Sequence, residues 1–184
     1  MSIERVREYF RAHGMEDRVL EFDVSSATVE LAAEALHCEP CRIAKTLSFS
    51  VGGKAILIVM AGDAKIDNRK FKDFFGFKAK MLSHEEALEL VGHAVGGVCP
   101  FAVNAGIKVY TDVSMKRFET VFPAAGSASS AVELSCDELF TASKAKEWTR
   151  NVGEIRENPG LPGREKHQAR RFLLDALCAA RQRA

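Results

Sequence analysis

The sequence predicts an α/β domain with a mixed, largely antiparallel central sheet surrounded by helices, followed by a helical extension. Three observations carry this. Two apolar, β-branched runs at 46–51 and 55–60 flank Gly52-Gly53, the pattern of a tight hairpin between central strands. Two capping boxes, Ser83-His84-Glu85-Glu86 and Ser135-Cys136-Asp137-Glu138, open helices among strand-like segments. Strand and helix signals interleave without the regular alternation of a parallel sheet, so the sheet is expected to be mixed.

Taken in order, Ile3, Val6, Tyr9 and Phe10 recur at helical spacing, and Gly14 stands where a helix commonly ends. A short strand is expected at 19–23. Ser26 is placed to cap a second helix to about residue 36, and Pro40 suits the first turn of a short third one ending near Lys45. Lys45 would then sit where helix gives way to strand. After the hairpin, residues 65–80 hold six basic and two acidic side chains interleaved with four phenylalanines. Phe71, Phe74 and Phe75 share one helical face and are expected in the core; Lys65, Arg69, Lys70 and Lys72 form the best local basic patch and are candidate RNA contacts. The capping boxes begin helices reaching about residues 90 and 143, and strands are expected at 108–112, 120–122 and 130–134. The domain is thus 1–150, with a proline- and glycine-rich linker at 151–163 and a basic amphipathic helix at 164–184. That helix offers an apolar face for its own domain, a second copy or a tRNA.

Composition excludes several classes. The 184 residues are 47% hydrophobic and 28% charged, ordinary for one globular core. The net charge of +1 means that a nucleic-acid partner must be met by a local patch. No apolar segment follows Met1, and no run approaches the roughly 18 residues of a membrane span, so a cytoplasmic protein with no membrane partner is expected. Five cysteines, an odd number, argue for free thiols. Cys38-Glu39-Pro40-Cys41 lacks the second close pair that a zinc site wants, so neither metal nor cofactor is expected; a thiol redox role for Cys38 and Cys41 is the weakest reading weighed.

The richest segment is 91–101, where Gly96-Gly97 and Pro100 interrupt an apolar run. Glycines expose main-chain N–H groups and proline fixes the exit, so 96–100 reads as a rigid loop wrapping a small polar group. Signatures of serine hydrolases, zincins and P-loop enzymes are lacking.

Three segments together resemble the YbaK/ProX family of aminoacyl-tRNA editing proteins: Lys45-Thr46-Leu47 entering a central strand, Gly96-Gly97-Val98-Cys99-Pro100-Phe101 about fifty residues later, and Ala131-Val132-Glu133-Leu134 before a helix. The resemblance covers about residues 3–143. It implies a YbaK-like fold and a trans-acting deacylase that hydrolyses the ester of mischarged tRNA, with no cofactor. By carry-over it makes Lys45 the required lysine and Gly96, Gly97 and Pro100 the catalytic loop. Main-chain N–H groups near Gly97 and Val98 would contact the carbonyl or oxyanion. Thr46, Val98, Cys99, His93, Gly126 and Ser127 are candidate substrate contacts.

The attacking group in such proteins can come from the substrate, a ribose hydroxyl or a thiol, so no protein base need be visible. The implied partners are the tRNA acceptor end and prolyl-tRNA synthetase, and the implied cargo is a small amino acid such as cysteine or alanine on proline tRNA. One departure bears on that cargo. Where many bacterial members carry Ser-Gly-Gly-Lys-Arg-Gly and then an aspartate, this chain has Ala124-Ala125-Gly126-Ser127-Ala128-Ser129-Ser130-Ala131. The alternative from another class is a non-catalytic module binding tRNA or a synthetase.

Overall fold

The computed structural model describes residues 2–150 and the backbone of 153–155. Helix α1 (Ser2–Ala12) is followed by strand β1 (Val19–Glu21) and helix α2 (Val29–Ala35). Strands β2 (Ile43–Val51), β3 (Lys54–Ala61) and β4 (Ala64–Ile66) precede helix α3 (Asn68–Phe75). Helix α4 (His84–Glu86) runs on into a π turn, Ala87–Val91. The remainder comprises β5 (Lys108–Asp112), β6 (Thr120–Pro123), β7 (Ser130–Val132), β8 (Leu134–Ser135), helix α5 (Cys136–Ala142), β9 (Trp148–Thr149) and β10 (Gly153–Ile155).

The main sheet is mixed, in the order β8-β6-β2-β3-β5-β9. Its longest ladder, β2 to β3, is antiparallel, while β2–β6, β3–β5 and β5–β9 are parallel. Two antiparallel ribbons, β1–β7 and β4–β10, flank it. Gly52 and Gly53 make the hairpin turn with φ of +56° and +77°, a conformation that glycine adopts without a Cβ clash. Strand β3 is buried on both faces, as its unbroken apolar sequence requires. Against the sheet pack Val6 and Phe10 of α1, Phe71 of α3, and Phe101, all fully enclosed.

Several boundaries differ from those expected, each for a local reason. Thr28, not Ser26, caps α2 by accepting from the Leu31 N–H at 3.2 Å; the Ser26 N–H is committed instead to the Ala128 carbonyl, at 2.6 Å. Pro40 opens only a 3₁₀ turn, Pro40–Arg42, and β2 begins at Ile43 because Ile43 and Ala44 pair with Phe122 and Pro123. Lys45 is therefore the third residue of a strand and not a helix end. The expected strand at 130–134 is two, broken at the exposed Glu133, so that β7 joins β1 while β8 returns to the main sheet. Phe71 is in the core and Phe75 half-buried, but Phe74 stays 37% exposed, edge-on to Phe75 and Tyr110. Strand β10 falls within the stretch expected to be linker; the rest of 151–163 and the helix expected at 164–184 lie outside the described residues.

Candidate active site

A split in the sheet creates a cleft. Strand β6 accompanies β2 only at Ile43 and Ala44, and the 80–82 segment joins β2 further along, through a bridge between Phe49 and Met81 and a Leu82 N–H to Ser48 carbonyl bond of 3.1 Å. Between these contacts the β2 edge at Lys45, Thr46 and Leu47 has no strand beside it among the described residues. The resulting cleft of about 480 Å³ is closed by α2 with the 26–28 segment, by Val95, Gly96 and Val98, by Met81 and His84, and by Phe122, Ala124, Ser130 and Ala131. That volume suits a small ligand, and the lining is mostly apolar with few polar groups.

Lys45 is half-buried, and its Nζ donates to the Gly62 carbonyl at 2.7 Å. Burial lowers its pKa from the usual lysine value, opposed by the nearby Asp63 carboxylate, while Lys65 pushes the same way as burial and Glu30 opposes it. The hydroxyl of the next residue, Thr46, is enclosed and has no hydrogen-bond partner among the described residues. An unsatisfied buried hydroxyl costs on the order of 1–3 kcal/mol.

The glycine loop alternates. Gly96 and Val98 line the cleft, whereas Gly97, Cys99 and Pro100 are buried behind it. Phe101 anchors the loop against Phe10, ring centroids 4.8 Å apart, and Arg5 donates to the Ala102 carbonyl at 2.8 Å. The Gly97 N–H is committed to the Ala94 carbonyl at 3.0 Å and is not free for an oxyanion. Gly96 and Val98 carry main-chain N–H groups without a partner among the described residues. Gly97 has a different reason to be glycine: a Cβ there would stand 2.8 Å from the Ser127 backbone. Gly97→Ala is expected to lower stability by about 1–3 kcal/mol and to displace the loop, measurable by urea unfolding.

His93 and Cys99 do not reach the cleft. The His93 ring is fully enclosed, its Nε2 donating to the Phe101 carbonyl at 2.8 Å, which leaves an unprotonated Nδ1 with no partner among the described residues. Burial pushes its pKa below the ordinary 6.5, so the imidazole is neutral and structural. Unfolding restores the ordinary value, so the unfolded chain takes up a proton that the folded one refuses. Stability is then lost as pH falls below about 6.5, at no more than ~1.4 kcal/mol per pH unit for one proton. Urea unfolding at pH 7 and 5.5 should reveal this slope, and His93→Gln should reduce it. The Cys99 thiol, buried beside the same carbonyl, is pushed up to about 12 and stays protonated at neutral pH, which suits packing and not nucleophilic attack.

Gly126 and Ser127 also stand behind the lining. Gly126 makes a turn with φ +91°, and Ser127 Oγ is 2.8 Å from Ser130 Oγ, bracing a serine that does line the cleft. Lys65, Arg69, Lys70 and Lys72 are exposed, and Lys65 is near enough to affect Lys45. The half-buried Cys41 thiol is raised to about 11, and that of Cys38 is raised too, so neither has the thiolate character of a redox pair. Sequence reasoning missed Thr28, Ser130 and His84. Among the described residues, Lys45 and His84 are the titratable side chains on the cleft. His84 was legible only as the first residue inside a capping box, a structural signal that hides its place at the rim.

The family described as aminoacyl-tRNA editing domain matches residues 24–142, a span that contains the whole cleft lining. The chain belongs to the aminoacyl-tRNA editing domain family. This editing domain is 55% identical over 149 residues to the uncharacterized protein YwhH of Bacillus subtilis (strain 168), covering 80% of this chain and 95% of that protein. A crystal structure of a protein proposed as a trans-editing enzyme for prolyl tRNA synthetase superimposes with a TM-score of 0.75 at 27% identity, over 83% of this chain and 97% of that one. The proline–tRNA ligase of Bacillus cereus (strain AH820) is 29% identical over 85 residues, which is 46% of this chain and only 15% of the ligase. No helix among the described residues is long and apolar enough to cross a membrane.

Proposed function

We propose that the protein is a cytoplasmic trans-editing deacylase that hydrolyses the ester of a mischarged tRNA, carrying a small amino acid such as cysteine or alanine on proline tRNA. The observation that carries this reading is the half-buried Lys45 ammonium on the lining of a mostly apolar cleft of small-ligand size. An aminoacyl ester is already activated, so positioning and oxyanion stabilisation can drive its hydrolysis without a strong protein nucleophile. Water, or a hydroxyl or thiol of the substrate, adds to the carbonyl carbon. The negative oxygen that forms is met by Lys45 and by the main-chain N–H groups of Gly96 and Val98. Collapse breaks the bond to the ribose oxygen, which leaves as the hydroxyl after taking the proton that the attacking group gives up. Attack by water gives the free amino acid directly; attack by a substrate group gives an intermediate that water then opens.

The apolar side of the cleft, formed by Ala32, Phe122, Ala124 and Ala131, leaves room for a short side chain and no charged partner for a polar one. The exposed patch of Lys65, Arg69, Lys70 and Lys72 is the candidate path for the acceptor strand, where phosphate contacts would make binding fall steeply with salt. Prolyl-tRNA synthetase is the candidate recruiting partner. The test is ester loss from a panel of mischarged tRNAs, including cysteine and alanine on proline tRNA. Hydrolysis of at least one member supports the reading, whereas salt-sensitive tRNA binding without hydrolysis of any would leave a non-catalytic binding module.

A further inference from the structure

We propose that Asp63 and Arg117 are positioning residues for Lys45, acting through the Gly62 carbonyl that receives its ammonium. The inference rests on the reading of Lys45 as the group that meets the ester. Gly62 and Asp63 form the turn between β3 and β4. On one side this turn has no latitude, since a Cβ at Gly62 would stand 2.0 Å from the Pro40 carbonyl oxygen. On the other side it is clamped. The Asp63 carboxylate accepts from both terminal nitrogens of Arg117, Nη1 to Oδ2 at 2.9 Å and Nη2 to Oδ1. The two side chains are only 19% and 11% exposed.

Arg117 is itself fixed, its Nε donating to the Ser114 carbonyl at 2.7 Å. The Ser114 hydroxyl accepts from the Ala61 N–H at 3.2 Å, and the Ser114 N–H donates to Asp112 at 2.8 Å. The last residue of β3, the turn and the 3₁₀ segment Val113–Arg117 are therefore one hydrogen-bonded unit. A bidentate guanidinium–carboxylate pair fixes orientation as well as distance, which a lysine in place of Arg117 would not.

The arrangement also decides what Lys45 rests on. The charged groups that act on it are Asp63 from the turn, Lys65 from β4 and Glu30 from α2. Asp63 is the natural ion-pair partner for a half-buried ammonium, and a direct pair would hold Lys45 away from substrate. Because both carboxylate oxygens are taken by Arg117, Lys45 rests instead on a neutral carbonyl. That hydrogen bond is weaker than an ion pair, so an ester oxygen or phosphate can compete for the ammonium.

Two substitutions separate this from a merely structural role, because they should move the titration of Lys45 in opposite directions. Asp63→Asn removes the carboxylate and leaves an unpaired guanidinium, so Lys45 should lose its proton at lower pH than in the wild type. Arg117→Met frees the carboxylate to capture Lys45, so its titration should move to higher pH. Both should lower kcat/KM for ester hydrolysis at least tenfold. The titration is read by NMR of protein whose lysines carry ¹³C-methyl groups, with Lys45→Ala assigning the resonance, and the rates by deacylation of mischarged tRNA. If Asp63→Asn does not fold, the direction of the Arg117→Met shift decides alone. An unmoved Lys45 resonance, or an unchanged kcat/KM beside an active wild type, overturns the proposal. An inactive wild type would overturn the deacylase reading instead, and this inference with it, whatever the resonance does.

Discussion

Replacing Lys45 by alanine is expected to reduce ester hydrolysis by about 10²–10³-fold while leaving the domain folded, the range typical of losing one preorganised oxyanion donor. The two halves of this expectation have separate causes. Structurally, the Lys45 ammonium makes one hydrogen bond among the described residues, to the Gly62 carbonyl, and losing it should cost about 1.5–3 kcal/mol of stability, which a folded domain can absorb. Functionally, it is the cation set into the cleft where β6 has left β2, and among the described residues nothing else on the lining can replace its charge; His84 stands exposed at the rim. Lys45→Arg should not restore activity, because a planar fork cannot occupy the space of a compact ammonium in a half-buried position. Deacylation measured beside thermal unfolding checks both halves. A variant that folds and still hydrolyses at the wild-type rate would remove Lys45 from the mechanism. How the loss divides is informative: a fall in kcat alone points to the carbonyl, and a rise in KM with weakened salt dependence points to a phosphate.

Much of this arrangement was legible in the residues, and the parts that were not share a physical reason. The Gly52-Gly53 hairpin and both capping boxes are local signals, and local signals survive into the fold. The cleft is not local. It exists because β6 leaves β2 after two residue pairs and another segment arrives four residues later, a matter of chain crossing that no window of sequence contains. The glycine loop shows both cases side by side. That 96–100 is a loop was readable from glycine and proline, but which of its residues face the cleft was not: Phe101 docks on Phe10, and His93 and Cys99 are buried. Gly97 was legible as important for the wrong reason. Its N–H is used within the loop, and its missing Cβ is what lets Ser127 approach. Glu133 reads as the middle of one strand by β pattern, yet the strand breaks there because β1 and β6 compete for its two halves.

Gly62→Ala is expected to be more damaging than a methyl group added at Gly14, Gly52, Gly53, Gly76, Gly92, Gly96, Gly97 or Gly106. A Cβ there would lie 2.0 Å from the Pro40 carbonyl oxygen and 2.7 Å from a Val29 methyl, and the first of these is backbone at the start of the 3₁₀ turn that feeds β2. Neither side can move cheaply, since the Asp63–Arg117 pair clamps the turn and β2 is held along its whole length by β3. Forced shifts of this kind cost on the order of 1–3 kcal/mol, or about 2–12 °C in Tm for a domain of this size. The displacement would also carry away the carbonyl on which Lys45 rests, so kcat/KM should fall at least tenfold even where the protein remains folded. Gly53→Ala is the matched control. It places a Cβ at φ +77° in open space, so it should cost about 1 kcal/mol through backbone strain and leave hydrolysis unchanged. If both variants lost the same stability and neither lost activity, the 61–64 turn would be an ordinary loop and Lys45 would not depend on it. If Gly62→Ala alone loses activity, out of proportion to its stability, the turn belongs to the working parts of the cleft although it contributes no side chain to it.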